Sequence, residues 1–237
     1  LIYAKYKIGE GVMLKTDERL YKESAKDYVV RQLIFNIIHV NLIPGQQLDA
    51  DELCRLLGVS KNPVREAELE LSQTKLVEIK PKIGAFVSYI NADIVEEVRQ
   101  LRSVLERELA IQACDEFTDN QIDLLWENVA LWKMYMERKD EEKIFRLDKE
   151  FHESFYKMCG KNYWYELVSR ISPHYDRTTI LSFRCREVGT ILTDHEELVK
   201  AIENRDKNMA VKIVQRHMER YNENISSIRE NYSQYFK

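Results

Sequence analysis

A mainly α-helical fold, in which a small α/β head precedes an all-helical bundle, is what the sequence predicts, and three observations predict it. Gly and Pro are scarce, seven and four among 237 residues, while Glu, Lys, Arg, Leu and Ile abound, which favours helices joined by short connections. Apolar residues recur at helical spacing through most of the chain. Strand-like runs are confined to a short stretch between Leu76 and Tyr89, and no strand signal follows it.

Residues 1–20 show no sustained periodicity and are expected to be a leader outside the fold, disordered or of artificial origin. The head is expected over residues 21–90. From Asp27 to Val40, the residues Val30, Leu33, Ile34, Ile37 and Ile38 mark a helix that stops at the Pro44-Gly45 turn. Asp49 or Asp51 can cap a short second helix holding Leu53, Leu56 and Leu57, which Gly58 ends. Ser60 can cap a third helix running to about Gln73, so Gly58-Val59-Ser60 joins two short helices as a helix-turn-helix. The β-prone runs Leu76–Lys80 and Ala85–Tyr89, around Pro81-Lys82-Ile83-Gly84, then read as a hairpin, the wing of a winged helix-turn-helix. Residues 91–237 are expected to form a second domain of six or seven helices, starting at an Asn91 cap. Its breaks are predicted near Thr118, Asp140, Gly160–Asn162, Arg184–Val188 and Arg205-Asp206.

Composition excludes several classes. No apolar run approaches the roughly 20 residues of a membrane span, and no signal-peptide order is present, so a cytoplasmic protein without a membrane partner is expected. Cys54, Cys114, Cys159 and Cys185 are scattered without a Cys-x-x-Cys pair, which suggests neither a zinc ribbon nor a disulfide framework. Residues 1–90 carry 13 basic and 12 acidic side chains and the rest carry 23 and 28. An asymmetry this small does not argue for DNA binding, which depends on clustered charge.

The cluster is local. In a helix-turn-helix the first turn of the second helix meets base edges, and here that turn offers Ser60, Lys61, Asn62 and Arg65. Lys and Arg donate to guanine edges or phosphates, Asn pairs with adenine, and Ser holds a phosphate. Lys80 and Lys82, beside Gly84, would carry the wing against the adjacent backbone, where a glycine permits close approach. A solvated helix face would show the same charges, but the cap, helix and wing around them favour a reading head. The segment LIPGQQLDADELCRLLGVSKNPVREAELELSQTKLVEIKPKIGAFV resembles the winged-helix signature of the GntR family of regulators, with PG, LGVS, PVREA and GAFV in register. By that resemblance Lys61 stands where Arg is usual, Asn62 where Thr is common, and Arg65 on the DNA-contacting arginine. Glu68 replaces a usual Leu and Lys75 a usual Gly. The resemblance implies a homodimer on palindromic operator DNA.

In the second domain Asp148 and His152, four apart, project from one helix face. His195 and His217 sit among apolar periodic residues on two later helices. Three imidazoles and a carboxylate would suit Zn, Ni, Mn or Fe with a position left open, although inward histidines also occur as hydrogen-bonded core residues. The segments RLDKEFHESFYKMCGKN, DHEELVKAIENRD and RHMER resemble the FCD ligand-binding domain of FadR-type GntR regulators, and that likeness puts Asp148, His152, His195 and His217 on the family's metal positions. It also puts Arg102, four residues before Glu106, toward an effector pocket, where a guanidinium could grip a carboxylate; a surface ion pair is the other reading. Arg177 is a second candidate for that pocket. His39 and His174 read as ordinary residues.

The expected function is that of a transcription regulator, a repressor or activator and not an enzyme, whose operator affinity answers to a small organic acid. A metal-dependent hydrolase is the alternative from another class, weakened by the lack of an assigned general base, oxyanion hole or phosphate loop. A regulator with a purely structural metal is the third.

Overall fold

The computed structural model describes residues 4–8, 12–185 and 189–237. By contacts the chain divides into two compact units, Leu1–Ala92 together with Tyr232–Lys237, and Asp93–Asn231. The sequence places all of 91–237 in the second domain, whereas the last six residues group with the head. There Ile90 N donates to Tyr235 O (2.8 Å) and Lys237 N to Ile90 O (3.3 Å), a bridge of backbone groups with no side-chain pattern to announce it.

The head contains strands β1 (Ala4–Ile8) and β2 (Val12–Thr16), helix α1 (Ala25–Ile38), β3 (Gln47–Leu48), α2 (Ala50–Leu57), α3 (Lys61–Gln73), β4 (Val77–Lys80) and β5 (Gly84–Val87). Ser24 caps α1 by accepting from Asp27 N, and Asp49 caps α2 by accepting from Asp51 N and Glu52 N. Gly58 closes α2 in the left-handed conformation at φ 64°, as its place in the sequence predicts. Ser60 occupies the N-cap of α3 without a side-chain cap bond. Leu33, Leu53, Val64, Leu71, Leu76 and Val87 meet in one core that fixes α3 against α1. The wing is a three-stranded antiparallel sheet in the order β3-β5-β4. Strand β3, two residues long, is too short for alternation to reveal.

The expected leader is corrected over residues 14–17; residues 1–3 and 9–11 lie outside the described residues. Leu14 is in the head core. Gln32 and Asn36, four apart on α1, are 2% and 0% exposed, and their amides bind Asp17 and the backbone of Lys15. Asn36 Oδ1 accepts from Lys15 N (2.9 Å) and its Nδ2 donates to Lys15 O (2.8 Å). Gln32 accepts from Asp17 N (3.3 Å) and donates to the Asp17 carboxylate, which Arg31 also holds at 2.5 Å. Segment 14–17 thus supplies partners that buried amides require.

The second unit holds α4 (Ala92–Glu116), α5 (Asp119–Glu137), α6 (Glu141–Met158), α7 (Asn162–Ile171), α8 (Pro173–Cys185), α9 (Gly189–Glu203) and α10 (Lys207–Asn231). Thr118 and Gln121 form a reciprocal capping box at α5, and Asp140 caps α6. The break predicted at Arg184–Val188 falls partly on residues 186–188, outside the described residues. A break the sequence hides lies at Ser172, where the backbone stays helical (φ −51°, ψ −33°) and Pro173 starts α8 without interrupting the apolar phase. At Arg205 the guanidinium donates to Cys114 O (3.2 Å) in the last turn of α4 and to Phe117 O (2.8 Å) just beyond it. No helix of the described residues is long and apolar enough to cross a membrane.

Candidate metal centre and nucleic-acid interface

On the head, Ser60, Lys61, Asn62 and Arg65 are all exposed in the first turns of α3. Lys61 Nζ rests on Asp51 at 2.6 Å, an exposed ion pair of small worth that a phosphate can replace. Lys80 Nζ stands 4.5 Å from the Phe86 ring centre and 3.8 Å from Glu78, which holds it beside the wing tip. Lys82 lies at that tip with φ 65°. Gly84 has φ 139°, and a Cβ there would fall 2.9 Å from Gln47 Nε2, which donates to Ile83 O; the turn itself requires glycine. The two departures from the family pattern acquire physical meaning. Lys75 takes φ 61°, with Lys75 N donating to Ser72 O and Leu76 N to Leu71 O, so it fills the left-handed end of a Schellman cap that glycine fills without strain. Glu68 is half-buried, and burial pushes its carboxyl up against the opposing pull of Arg65.

In the second unit four side chains from three helices converge. Asp148 and His152 come from α6, His195 from α9 and His217 from α10, and one ligand atom from each lies within 4.8 Å of every other. His152 Nε2 and His217 Nε2 are 3.2 Å apart, and Asp148 Oδ1 is 3.7 Å from both His152 Nε2 and His195 Nε2. Neighbouring donors on metal bonds of about 2.1 Å stand about 3.0–3.4 Å apart, so this set needs only slight contraction to hold a cation. Both ring nitrogens of His195 are buried without a hydrogen-bond partner, and a bound ion would satisfy Nε2, the one that faces Asp148. Burial, with His217 and His152 beside it, holds His195 well below the usual histidine range, so its lone pair stays free. Phe151 stacks on the His195 ring at 4.0 Å and Trp132 meets it edge-on at 4.7 Å, which fixes its orientation. The residues present fit a divalent transition metal.

A second layer supports this set. Glu106 Oε2 lies 2.7 Å from His152 Nδ1, while its other oxygen accepts from Arg102 Nε at 2.9 Å. That contact commits Nδ1 and turns Nε2 toward the cluster. Burial would raise the Glu106 carboxyl, but Arg102 and His152 outweigh it and hold it at about 2. Arg102 and Glu106 are both buried, so the surface-pair reading of these residues is corrected. The Arg102 guanidinium also stands 5.1 Å from the Tyr175 ring centre.

The cluster opens into a cavity with about 460 Å³ of empty space, its mouth included. Arg102, Asp148, His152 and His217 line it together with Arg220, Tyr221, Asn224 and Ile228 of α10. Tyr175, Thr178, Thr179 and Ser182 of α8 form another wall, and Ile191 of α9 adds an apolar surface. Thr178 and Thr179 donate to Tyr175 O, at 2.6 and 3.4 Å, and Ser182 donates to Thr179 O at 2.8 Å. Their hydrogens are committed, so toward the cavity these hydroxyls accept. Arg177 does not line the cavity; it is wholly buried, and desolvation lowers its guanidinium to about 10. The expectation that Arg177 faces the pocket is corrected in favour of Arg220, because α8 turns Thr178 and Thr179 to the cavity instead.

Sequence reasoning missed Arg220, Tyr221, Asn224 and the α8 hydroxyls. The signal was available: Arg220, Tyr221, Asn224 and Ile228 follow His217 at helical spacings that return to one face.

Residues 97–220 match the FCD domain model, and residues 25–87 match that of the bacterial regulatory proteins, gntR family. Among curated proteins, the HTH-type transcriptional repressor RspR of Escherichia coli K12 is 26% identical over 209 residues, 88% of this chain and 92% of the relative. The gluconate operon transcriptional repressor of Bacillus licheniformis is 24% identical over 206 residues, 84% of each. Among solved structures, Escherichia coli McbR/YncC has the same fold with a TM-score of 0.75 at 21% identity, covering 88% of this chain and 99% of that one.

Proposed function

The chain belongs to the GntR family of bacterial transcriptional regulators and carries an FCD domain, and from that premise we propose that it is a cytoplasmic, dimeric repressor released from its operator by a small hydroxylated carboxylate. One observation carries the sensing part of this reading. Asp148, His152 and His217 of the four-residue set line one cavity together with the cations Arg102 and Arg220.

Asp148, His152, His195 and His217 would hold a divalent metal, Zn, Ni, Mn or Fe by donor type. Such an ion, when bound, supplies Lewis-acid attraction for a ligand oxygen. Arg102, pinned by Glu106, presents its guanidinium to an entering carboxylate. Thr178, Thr179 and Ser182 offer acceptors to groups that donate, which favours a ligand bearing hydroxyls over a bare hydrocarbon chain. The gluconate named for the Bacillus licheniformis relative has that chemistry.

On the DNA side, Ser60, Lys61, Asn62 and Arg65 would enter the major groove, and Lys80, Lys82 and the Gly84 turn would place the wing on the neighbouring backbone. Two copies are needed to read a palindrome. Ligand shifts the operator equilibrium only by its differential affinity for the two states of the dimer. A metal serving only to cross-link α6, α9 and α10 would leave the cavity groups without a task.

The test is calorimetric titration of the metal-loaded protein with gluconate, galactonate, glycerate and lactate, set against hexanoate, which has the carboxylate without hydroxyls. Binding of a hydroxy acid, lost in Arg102→Met, is expected. Tighter binding of hexanoate, or no binding by any of them, would sink the assignment.

A further inference from the structure

We infer that Asp194 is a positioning residue that ties the metal ligand His217 to the cavity cation Arg220; the inference rests on the sensing site proposed above. Asp194 precedes His195 on α9, yet its carboxylate turns to α10, and its side chain has no exposed surface. It accepts from Arg220 through two bonds, Nε to Oδ2 at 2.5 Å and a terminal nitrogen to Oδ1 at 3.0 Å, and from Arg216 Nε at 2.9 Å. A planar guanidinium gripped at two points keeps one orientation, so the Arg220 fork that lines the cavity is set by Asp194.

The same carboxylate faces the metal set. Asp194 Oδ2 lies 3.6 Å from His217 Nδ1, beyond hydrogen-bond length but close enough for a buried negative charge to favour the tautomer with its proton on Nδ1. That tautomer leaves the lone pair on Nε2, the atom 3.2 Å from His152 Nε2 inside the cluster. His217 Nδ1 is buried with no hydrogen-bond partner, so the Asp194 charge acts from that side of the ring, in competition with His152 Nε2, which in the metal-free protein stands at hydrogen-bond distance from the other nitrogen. Glu106 performs the corresponding task for His152 from α4. Three residues within one turn of α10, Arg216, His217 and Arg220, therefore converge on one buried carboxylate, and a ligand that draws on Arg220 acts on the partner of His217.

Two measurements on the full chain test this. In chelator-treated protein labelled with ¹⁵N-histidine, His217 is expected to carry its proton on Nδ1, and Asp194→Asn is expected to move it toward Nε2. Zinc titration against a chelating dye should show affinity about 10–100-fold weaker in Asp194→Asn, the range for loss of a group that orients a ligand. Asp194→Glu should recover part of that loss. Glu197→Gln, which frees the Arg216 nitrogen shared with Asp194 but leaves the Asp194 carboxylate in place, should change both readouts far less than Asp194→Asn. Thermal melts of the metal-free variants separate positioning from unfolding. An unchanged His217 tautomer, or zinc affinity within twofold of the parent, would overturn the inference. Parent protein that takes up no zinc while its tautomer still responds to Asp194→Asn would reject the metal reading and leave the positioning role standing.

Discussion

Replacing Arg102 by methionine tests whether the buried pair at the cavity wall is a structural device, a ligand grip or both. Methionine keeps most of the volume and removes the charge. Arg102 Nε and Glu106 Oε1 are 2.9 Å apart, with side chains 6% and 7% exposed. At that separation and an effective dielectric near 20 their attraction is roughly 4–6 kcal/mol. Loss of the cation also forfeits about 1 kcal/mol of attraction to the Tyr175 ring. Glu106 would then be a buried carboxylate left with His152, and breaking such a pair costs about 3–5 kcal/mol. Glu106→Gln alone strands the guanidinium and should cost a similar amount. The double variant removes both charges and should lose less than the two single losses together, by about 2 kcal/mol or more. Urea unfolding of the chelator-treated proteins, followed by circular dichroism, measures all four corners of the cycle. Single variants within about 1 kcal/mol of the parent, or strictly additive losses, would refute the reasoning.

Three further outcomes follow from the head. Arg65→Ala should weaken binding to an operator selected from random duplexes by about 10–100-fold, the worth of a specific base contact, while metal content stays unchanged. Normal operator binding by this variant would remove the assignment of α3. Lys75→Gly relieves a left-handed residue, worth about 1–2 kcal/mol, against the greater freedom of glycine in the unfolded chain, about 0.5–1 kcal/mol. A net gain of about 0.5–1 kcal/mol in urea unfolding is expected, and a loss would contradict the cap described. Glu68→Gln should stabilise the head at neutral pH. The folded carboxyl is raised above its unfolded value, so folding penalises the ionised form; that penalty is complete above the folded pKa and fades as pH falls through it toward the unfolded value. The advantage of the variant should shrink in the same window, and an advantage that grows on acidification would be wrong in sign.

The parts of this molecule legible in its sequence are those whose signals are local. Asp49, Gly58, Thr118 and Asp140 announce helix ends because caps act within a few residues. Asp148 and His152 declare a shared face for the same reason. His195 and His217 have no local tie to them, and their convergence was foreseen through likeness to a family. Gln32 and Asn36 look like the wet side of α1 because amides are polar; their burial depends on the backbone of residues 15–17, which no periodicity marks. Asp194 resembles any exposed acid beside a histidine until α10 brings two arginines to it. Arg177 shows the converse, since a buried arginine on α8 and a pocket arginine have the same sequence signature.

The central claim is that Asp148, His152, His195 and His217 hold a metal at the wall of the sensing cavity. Elemental mass spectrometry of purified protein that has met no chelator, beside His152→Ala and His217→Ala, tests it most directly. The account predicts close to one transition-metal ion per chain, falling sharply in both variants while operator binding by α3 is retained. Parent protein without metal, even after reloading with zinc, nickel, manganese or iron, would contradict it, as would metal retained at parental level in both variants.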